Sequence, residues 1–321
     1  MQHAAIAFRH GWGYHRAMKL DPVSLRLFVA VLETGAIARA AEREHMAPSA
    51  ASRRLAELEV RLKVSLFARS NRGIEPTPAA YALQHLARGV LNDLDGIATQ
   101  MRAWGSGLRG HVRLAANISA ITQFLPADLQ RFMARHPQVD VRLQEMISSA
   151  VARAVAENAA DLGILSEGHP GEFAGRVTLL PYRQDELVLV APAGHALARR
   201  KTVRLADAVK FDLIGMHPGS AIHQLMRRGA ADAGMPLRLR MQVTGYDALC
   251  LMVAAGLGVG VMPRGSAQLY RRELAVRVVP LNEPWARRRL ALCVRAVDAL
   301  SPVARLLVEH LQACAVADPD V

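Results

Sequence analysis

Three short segments place polar residues where an apolar run gives way to a helical pattern. Asn117-Ile118-Ser119 follows the run ending at Ala116, and Ile147-Ser148-Ser149 follows the run ending at Met146. His217-Pro218-Gly219-Ser220 follows the run ending at Met216. At such a junction the first N–H groups of a helix lack partners, and the helix end favours negative charge. A serine there has two uses. It can cap the helix, a contribution of about 1 kcal/mol, or it can join the backbone N–H groups in holding a ligand. Three such turns facing one crevice would suit a carboxylate. The candidate ligand set is therefore Asn117, Ser119, Ser148, Ser149, Gly219 and Ser220, with Tyr246 and the Gly256–Gly258 turn on the opposite wall.

A second chemistry resides in the run PSAASRRLAELEVRL, which starts at Pro48. At 100° per residue its apolar face is Ala51, Leu55, Leu58 and Leu62. Ser49, Arg53 and Ala56 fall opposite, with Ser52 at the border. A helix fits the major groove of DNA, and Arg and Ser can bond base edges. An ordinary solvated amphipathic helix fits these fifteen residues equally well. Beyond it, Arg69 and Arg72 flank the turn SNRGIE in a wing-like hairpin, where cations meet phosphates. The candidate DNA-contact set is Ser49, Ser52, Arg53, Arg54, Arg69 and Arg72.

Other chemistries find no support. The three cysteines, Cys250, Cys293 and Cys314, form no CxxC pair, which argues against a disulfide scaffold or structural zinc and fits a reducing cytoplasm. Cys250 sits in an apolar run and reads as a buried, inert thiol. There is no HExxH and no GxSxG, and the GLGVG run lacks the Lys-Ser/Thr of a phosphate loop. No catalytic residue, metal site or cofactor is therefore expected. The 321 residues carry 40 Lys+Arg against 28 Asp+Glu, a net +12. That balance suits a polyanionic partner or simply a basic surface. No window of about 18 apolar residues is present, so no membrane span is expected. Residues 1–18 read as a disordered extension, with Met18 as an alternative start.

These residues need elements to position them. Leu25, Phe28, Val29 and Leu32 form one helical face between Pro22 and Gly35. Ile37, Ala40 and Ala41 line the inner side of a short second helix, and small alanines let a third approach closely. From Pro78 to about Trp104 the spacing predicts one long helix. Leu83, Ala87, Val90, Leu94, Ile97 and Met101 alternate 4-3-4-3-4 along it, which is either a dimer seam or a face packed on its own domain. After Gly110, strands and helices alternate, implying a mostly parallel, doubly wound sheet. A second such unit begins near Leu187.

The pieces LRLF, ARAAE, APSAASRRLAELE, LFAR and PTPA, at fixed spacing from Leu25 to Ala80, resemble the winged helix-turn-helix of LysR-type transcriptional regulators. Ala36, Ala47, Lys63 and Ala80 depart from the usual Ser, Ser/Thr, Gly and Gly. The segment FLP near Phe124, with ENAADLGIL, LVLVAPAGHALA and VAAGLGVGVMP, resembles that family's periplasmic-binding-protein-like effector domain. His195 matches a common turn of that domain and is read as structural. The resemblance implies two α/β subdomains joined by crossover strands with a small-molecule effector between them. It also implies pairing through the linker helix into a dimer or tetramer on dyad-symmetric double-stranded DNA. The expected plan is a DNA-binding domain at 19–77, a linker helix at 78–106 and an effector domain at 107–321. Within the last, subdomain I takes about 107–182 and 265–321, and subdomain II about 183–264. The alternative is a cytoplasmic solute-binding or enzymatic α/β protein with an accessory helical domain.

Overall fold

The computed structural model describes residues 20–70, 73–105, 110–168 and 170–317. The extension expected at 1–18 lies outside them. The chain divides into two units, Met1–Leu91 and Asn92–Val321.

The first unit contains α1 (Pro22–Thr34), α2 (Ile37–Arg43), α3 (Pro48–Leu62), the hairpin β1 (Phe67–Ser70) and β2 (Gly73–Pro76), and the start of α4 (Pro78–Gly105). Asp21 caps α1 by accepting from the Ser24 N–H at 2.9 Å and the Ser24 hydroxyl at 2.7 Å. Phe28, Val31, Ala40, Ala41, Ala51 and Leu58 form the centre of its core. The three alanines are fully buried, so the small side chains do permit close helix approach. Ala36 and Ala47 give α2 and α3 no side-chain cap. Lys63 closes α3 in the left-handed region at φ 54°, which explains why glycine suits that position. The Glu59 carboxylate then accepts from the N–H groups of Leu66 and Phe67, at 2.7 and 3.0 Å, and turns the chain into the hairpin.

The seam expected on α4 divides in two. Leu83 and Ala87 pack on the unit's own core together with Leu91, whereas Leu86, Val90, Leu94 and Ile97 are exposed. The first turns of α4 must cover the three-helix core, so the row at i, i+4, i+8 faces inward and its neighbouring row is left outside. The side chain of Met101 lies outside the described residues.

The second unit is built on a nine-stranded sheet in the order β4-β3-β5-β11-β6-β9-β7-β8, with β10 also on β6. The strands are β3 (Gly110–Ala116), β4 (Val139–Glu145), β5 (Leu162–Ser166), β6 (Thr178–Pro192), β7 (Leu213–Met216), β8 (Leu239–Val243), β9 (Val259–Pro263), β10 (Val276–Pro280) and β11 (Arg287–Val294). Only the flanks are parallel: β3 with β4 and β5, and β7 with β8 and β9. The centre is antiparallel, through β6 with β9, β10 and β11, and β11 with β5. The expected mostly parallel sheet is thus a mixed one, because two crossing strands pass through its middle.

The helices are α5 (Ile118–Gln123), α6 (Leu125–Arg135), α7 (Ser148–Ala156), α8 (Leu205–Ala208), α9 (Ala221–Asp232), α10 (Tyr246–Ala254), α11 (Arg264–Arg271) and α12 (Pro302–Ala317). Two large cores result, with a smaller third cluster of Val151, Val155, Leu165 and Phe173 around α7. One gathers Leu114, Phe132, Leu162 and Leu292, the other Leu189, Ile214, Tyr246 and Val261. The second also includes Ala267, Val276, Val279, Leu281 and Ala286. Subdomain II therefore continues past the expected boundary at 265, and the chain returns to subdomain I along β11. The reason is β10, which pairs with Val188–Pro192 of β6 and so belongs to the second core.

Candidate functional site

On α3, Ser49 and Arg53 are exposed and Ser52 is half-buried. The helix thus places the hydroxyls and the guanidinium on the face expected from the spacing. Arg54 differs from that expectation. Its Nη1 donates to Asp21 Oδ1 at 3.0 Å and to Ser24 Oγ at 3.3 Å, so its charge ties α3 to the start of α1. One residue along a helix is a 100° turn, which is enough to move a side chain from the open face to a neighbour. Arg72 and the side chain of Arg69 lie outside the described residues.

A cavity of about 300 Å3 opens between the two cores of the second unit. Asn117, Ser119, Ser148, Ser220 and Tyr246 all line it. The turn residues divide between capping a helix and bonding within the cavity wall. Asn117 caps α5 by accepting from the Ala120 N–H at 3.0 Å, and Ser220 caps α9 by accepting from the Ile222 N–H at 3.2 Å. Ser148 is not a cap. Its Oγ accepts from the Ser166 N–H at 3.1 Å and from Asn117 Nδ2 at 3.2 Å. Both lone pairs are then occupied and its own proton is left to donate.

Ser149 and Gly219 do not line the cavity. Ser149 lies one position after Ser148 on α7 and turns toward Gly171, 3.4 Å from where a Cβ there would sit. At Gly219 the space for a side chain is already taken, by Ile147 Cδ1 at 3.0 Å and the His217 ring at 3.4 Å. The Gly256–Gly258 turn is also absent from the lining. Gly258 instead backs onto the Asp212 carbonyl, which a Cβ would approach to 2.4 Å.

Sequence reasoning missed Arg288, the one Arg or Lys among the described lining residues. It is buried and pairs with the equally buried Asp185, through Nε to Oδ1 at 2.8 Å and Nη2 to Oδ2. Nη2 also donates to Ser119 Oγ at 3.2 Å. Nη1 is buried and has no partner among the described residues. Burial works against its charge, but the Asp185 carboxylate outweighs that and raises its pKa above the ordinary value. The signal was present in strand alternation: Arg287 and Arg289 are exposed while Arg288 points inward. Ser166, Glu145, His217 and Thr244 were missed as well.

Ser119 also meets the Tyr246 hydroxyl at 2.9 Å. That bond joins α5 of subdomain I to α10 of subdomain II. Tyr246 is fully buried, and burial pushes its phenol up to about 12. Thr122 and Ser266 make a second link between the subdomains at 2.7 Å. The cavity therefore sits between two lobes that share the crossing strands β6 and β11 and also meet through these hydroxyl contacts. Among the described residues no cluster suited to a metal ion is present.

The model of the LysR substrate binding domain matches residues 105–315, and that of the bacterial regulatory helix-turn-helix protein, lysR family, matches residues 23–81. The chain belongs to the LysR family of transcriptional regulators. Among relatives of this LysR-type regulator, the probable HTH-type transcriptional regulator LrrA of Synechococcus elongatus is 30% identical, over 82% of this chain and 87% of that protein. The RuBisCO operon transcriptional regulator of Allochromatium vinosum is 27% identical, over 87% and 91%. Among solved structures, CbnR, a LysR family transcriptional regulator, superposes with a TM-score of 0.65 at 23% identity, covering 92% of this chain and 99% of that one. A full-length OxyR variant from Pseudomonas aeruginosa gives 0.63 at 19%, covering 92% and 94%. These structural likenesses bear on the fold, which is the family's two-part arrangement. Among the described residues, no helix is long and apolar enough to cross a membrane.

Proposed function

We propose that this regulator reads double-stranded operator DNA through Ser49, Ser52 and Arg53 on α3, with Arg69 and Arg72 of the wing adding phosphate contacts. It does so as a dimer or tetramer in the cytoplasm. A small-molecule effector in the cavity between the two lobes modulates promoter binding or activation. The protein is a regulator and not an enzyme, in keeping with the names of its relatives.

The observation that carries this reading is the cavity itself. Its walls come from both lobes, and helices α7, α9 and α10 present their first residues to it. A ligand touching both walls would bind one lobe arrangement more tightly than another, and only such differential affinity can shift a population. Two solved relatives support the two halves. CbnR has been determined with its target DNA, and the effector-binding domain of QuiR with shikimate.

The test is a gel shift on the DNA flanking the protein's own gene, at low salt. A shift that competitor DNA of random sequence fails to abolish is expected. Folded protein that gives no shift would sink the reading.

A further inference from the structure

Six polar side chains on the cavity wall, Asn117, Ser119, Ser148, Ser166, Tyr246 and Arg288, can be counted for what they still lack. Asn117 gives both amide protons, to Ser148 and Ser166, and its Oδ1 accepts from the Ala120 N–H. Ser148 and Ser166 each accept bonds and keep a proton to donate. Ser119 and Tyr246 share one bond, so one hydroxyl proton of that pair is also left over. Arg288 holds an unpartnered Nη1 and a bond to Ser119 at 3.2 Å, weaker than its two bonds to Asp185. The unmet demand of these six side chains is for acceptors, and it converges from both lobes and from the crossover strand β11.

Charge then limits the acceptor. Asp185 already neutralises Arg288, and it is further held by Gln123 Nε2 at 3.2 Å. One added carboxylate is supported by the guanidinium, the spare hydroxyl protons and the starts of α7, α9 and α10. A second would face Glu145, which stands on the lining, while the cation of that lining, Arg288, is already paired with Asp185. Like charges without a shared cation repel. The volume, about 300 Å3, is at the small end for ligand pockets.

We propose that Arg288 is the residue that receives the effector, and that the effector presents to it a single carboxylate: a small monoanion, with dicarboxylates disfavoured. The carboxylate takes the place of Ser119 at Nη2 and satisfies Nη1. Because Ser119 is bonded to Tyr246 of the other lobe, occupancy at Arg288 acts directly on the contact between lobes. This inference rests on the cavity being the effector site proposed above.

The probes are acetate, its neutral isostere acetamide, and malonate, which adds a second carboxylate. Full-length protein is melted in rising concentrations of each, with sodium chloride holding ionic strength constant. Acetate is expected to raise Tm, since a ligand bound to the native state stabilises it by mass action. Acetamide is expected to leave Tm unchanged, and malonate to raise it less than acetate. Arg288→Lys, if folded, is expected to weaken the apparent acetate affinity by about tenfold or more. The proposal is overturned if acetate gives no rise over chloride, if acetamide matches acetate, if malonate exceeds it, or if folded Arg288→Lys keeps the full response. The wild-type arms decide the matter if that variant does not fold. The operator gel shift on wild-type protein stands apart from these arms. A positive gel shift without an acetate response defeats the Arg288 proposal alone, and a negative one defeats the regulator reading.

Discussion

Arg53 and Arg54 are neighbours on α3 with different surroundings, and that difference is testable. Arg53 is exposed on the open face, whereas Arg54 is bonded to Asp21 and Ser24. Arg53→Ala is expected to cut the preference for operator over random DNA by about 1–3 kcal/mol, read from paired binding isotherms. Arg54→Ala is expected to leave that preference intact and to cost less than about 1 kcal/mol of stability, because its ion pair is half-exposed. Equal loss of preference in both variants would place the DNA face elsewhere. Lys63 supports a second prediction. It occupies the left-handed region without the freedom of glycine. Lys63→Gly is expected to gain about 1 kcal/mol, measured as a higher denaturant midpoint at unchanged slope. At this scale the sequence was partly legible. Helical angle separates Ser49 and Arg53 from the apolar face, but it does not show that Arg54 meets the Asp21 cap, a contact between segments 33 residues apart. Arg288 was hidden for a related reason. Alternation along β11 puts it inward between exposed Arg287 and Arg289, but only the packed sheet shows that this inward side meets the cavity.

The elements α4, β6 and β11 show what periodicity can and cannot locate. The length of α4 was legible, because no proline follows Pro78 in the run and its two internal glycines, Gly89 and Gly96, do not interrupt the apolar spacing. Which of its rows would be covered was not, because two adjacent apolar rows exist and only the packed core decides between them. The start of β6 was obscured by Pro181 and by the polar run Arg183-Gln184-Asp185-Glu186, which reads as a loop. In the fold those polar residues are where the strand crosses from one lobe to the other, and Arg183 and Asp185 are buried there. The α4 arrangement yields a prediction. Leu86, Val90, Leu94 and Ile97 form an exposed apolar row, the kind of surface that a helix pair covers. Leu94→Glu is expected to raise the dimer dissociation constant by about tenfold or more, seen as a shift to monomer in sedimentation velocity. Its melting temperature should change little, since Leu94 is 40% exposed and supports no core. A variant that stays dimeric at the same concentration would move the self-association surface off this row.

At the scale of the whole molecule, the alternation of strands and helices announced an α/β sensor, and two runs of matching motifs announced its family. The centre of the sheet was not legible, since composition along one strand does not show which way it runs against its neighbours. The thiols are a global property that the fold does settle. All three cysteines are free and buried. Burial pushes Cys250 and Cys293 up to about 12 and raises Cys314 as well. The thiolate is the reactive form, so burial holds these thiols in the unreactive form. Native protein at pH 8 is expected to take up no iodoacetamide, and unfolded protein three equivalents. Peroxide should leave operator binding unchanged. Labelling of the native state would show that one of these thiols is accessible. The sign of the pH dependence follows from the same burial. An acid whose pKa is raised by folding binds more protons in the native state than in the unfolded one, so its contribution is intact below the unfolded value and is lost as pH rises. For the two thiols that window runs from 9.0 to about 12, and for the Tyr246 phenol from 10.0 to about 12. Tyr246→Phe isolates the phenol's share. The stability gap between wild type and this variant, measured by urea unfolding, should shift steadily against the wild type from pH 10 upward, because only the wild type then has a phenol held protonated. A gap that stays constant across that window would mean that Tyr246 is open to water, and that the contact between the lobes at Ser119 is looser than its 2.9 Å geometry indicates.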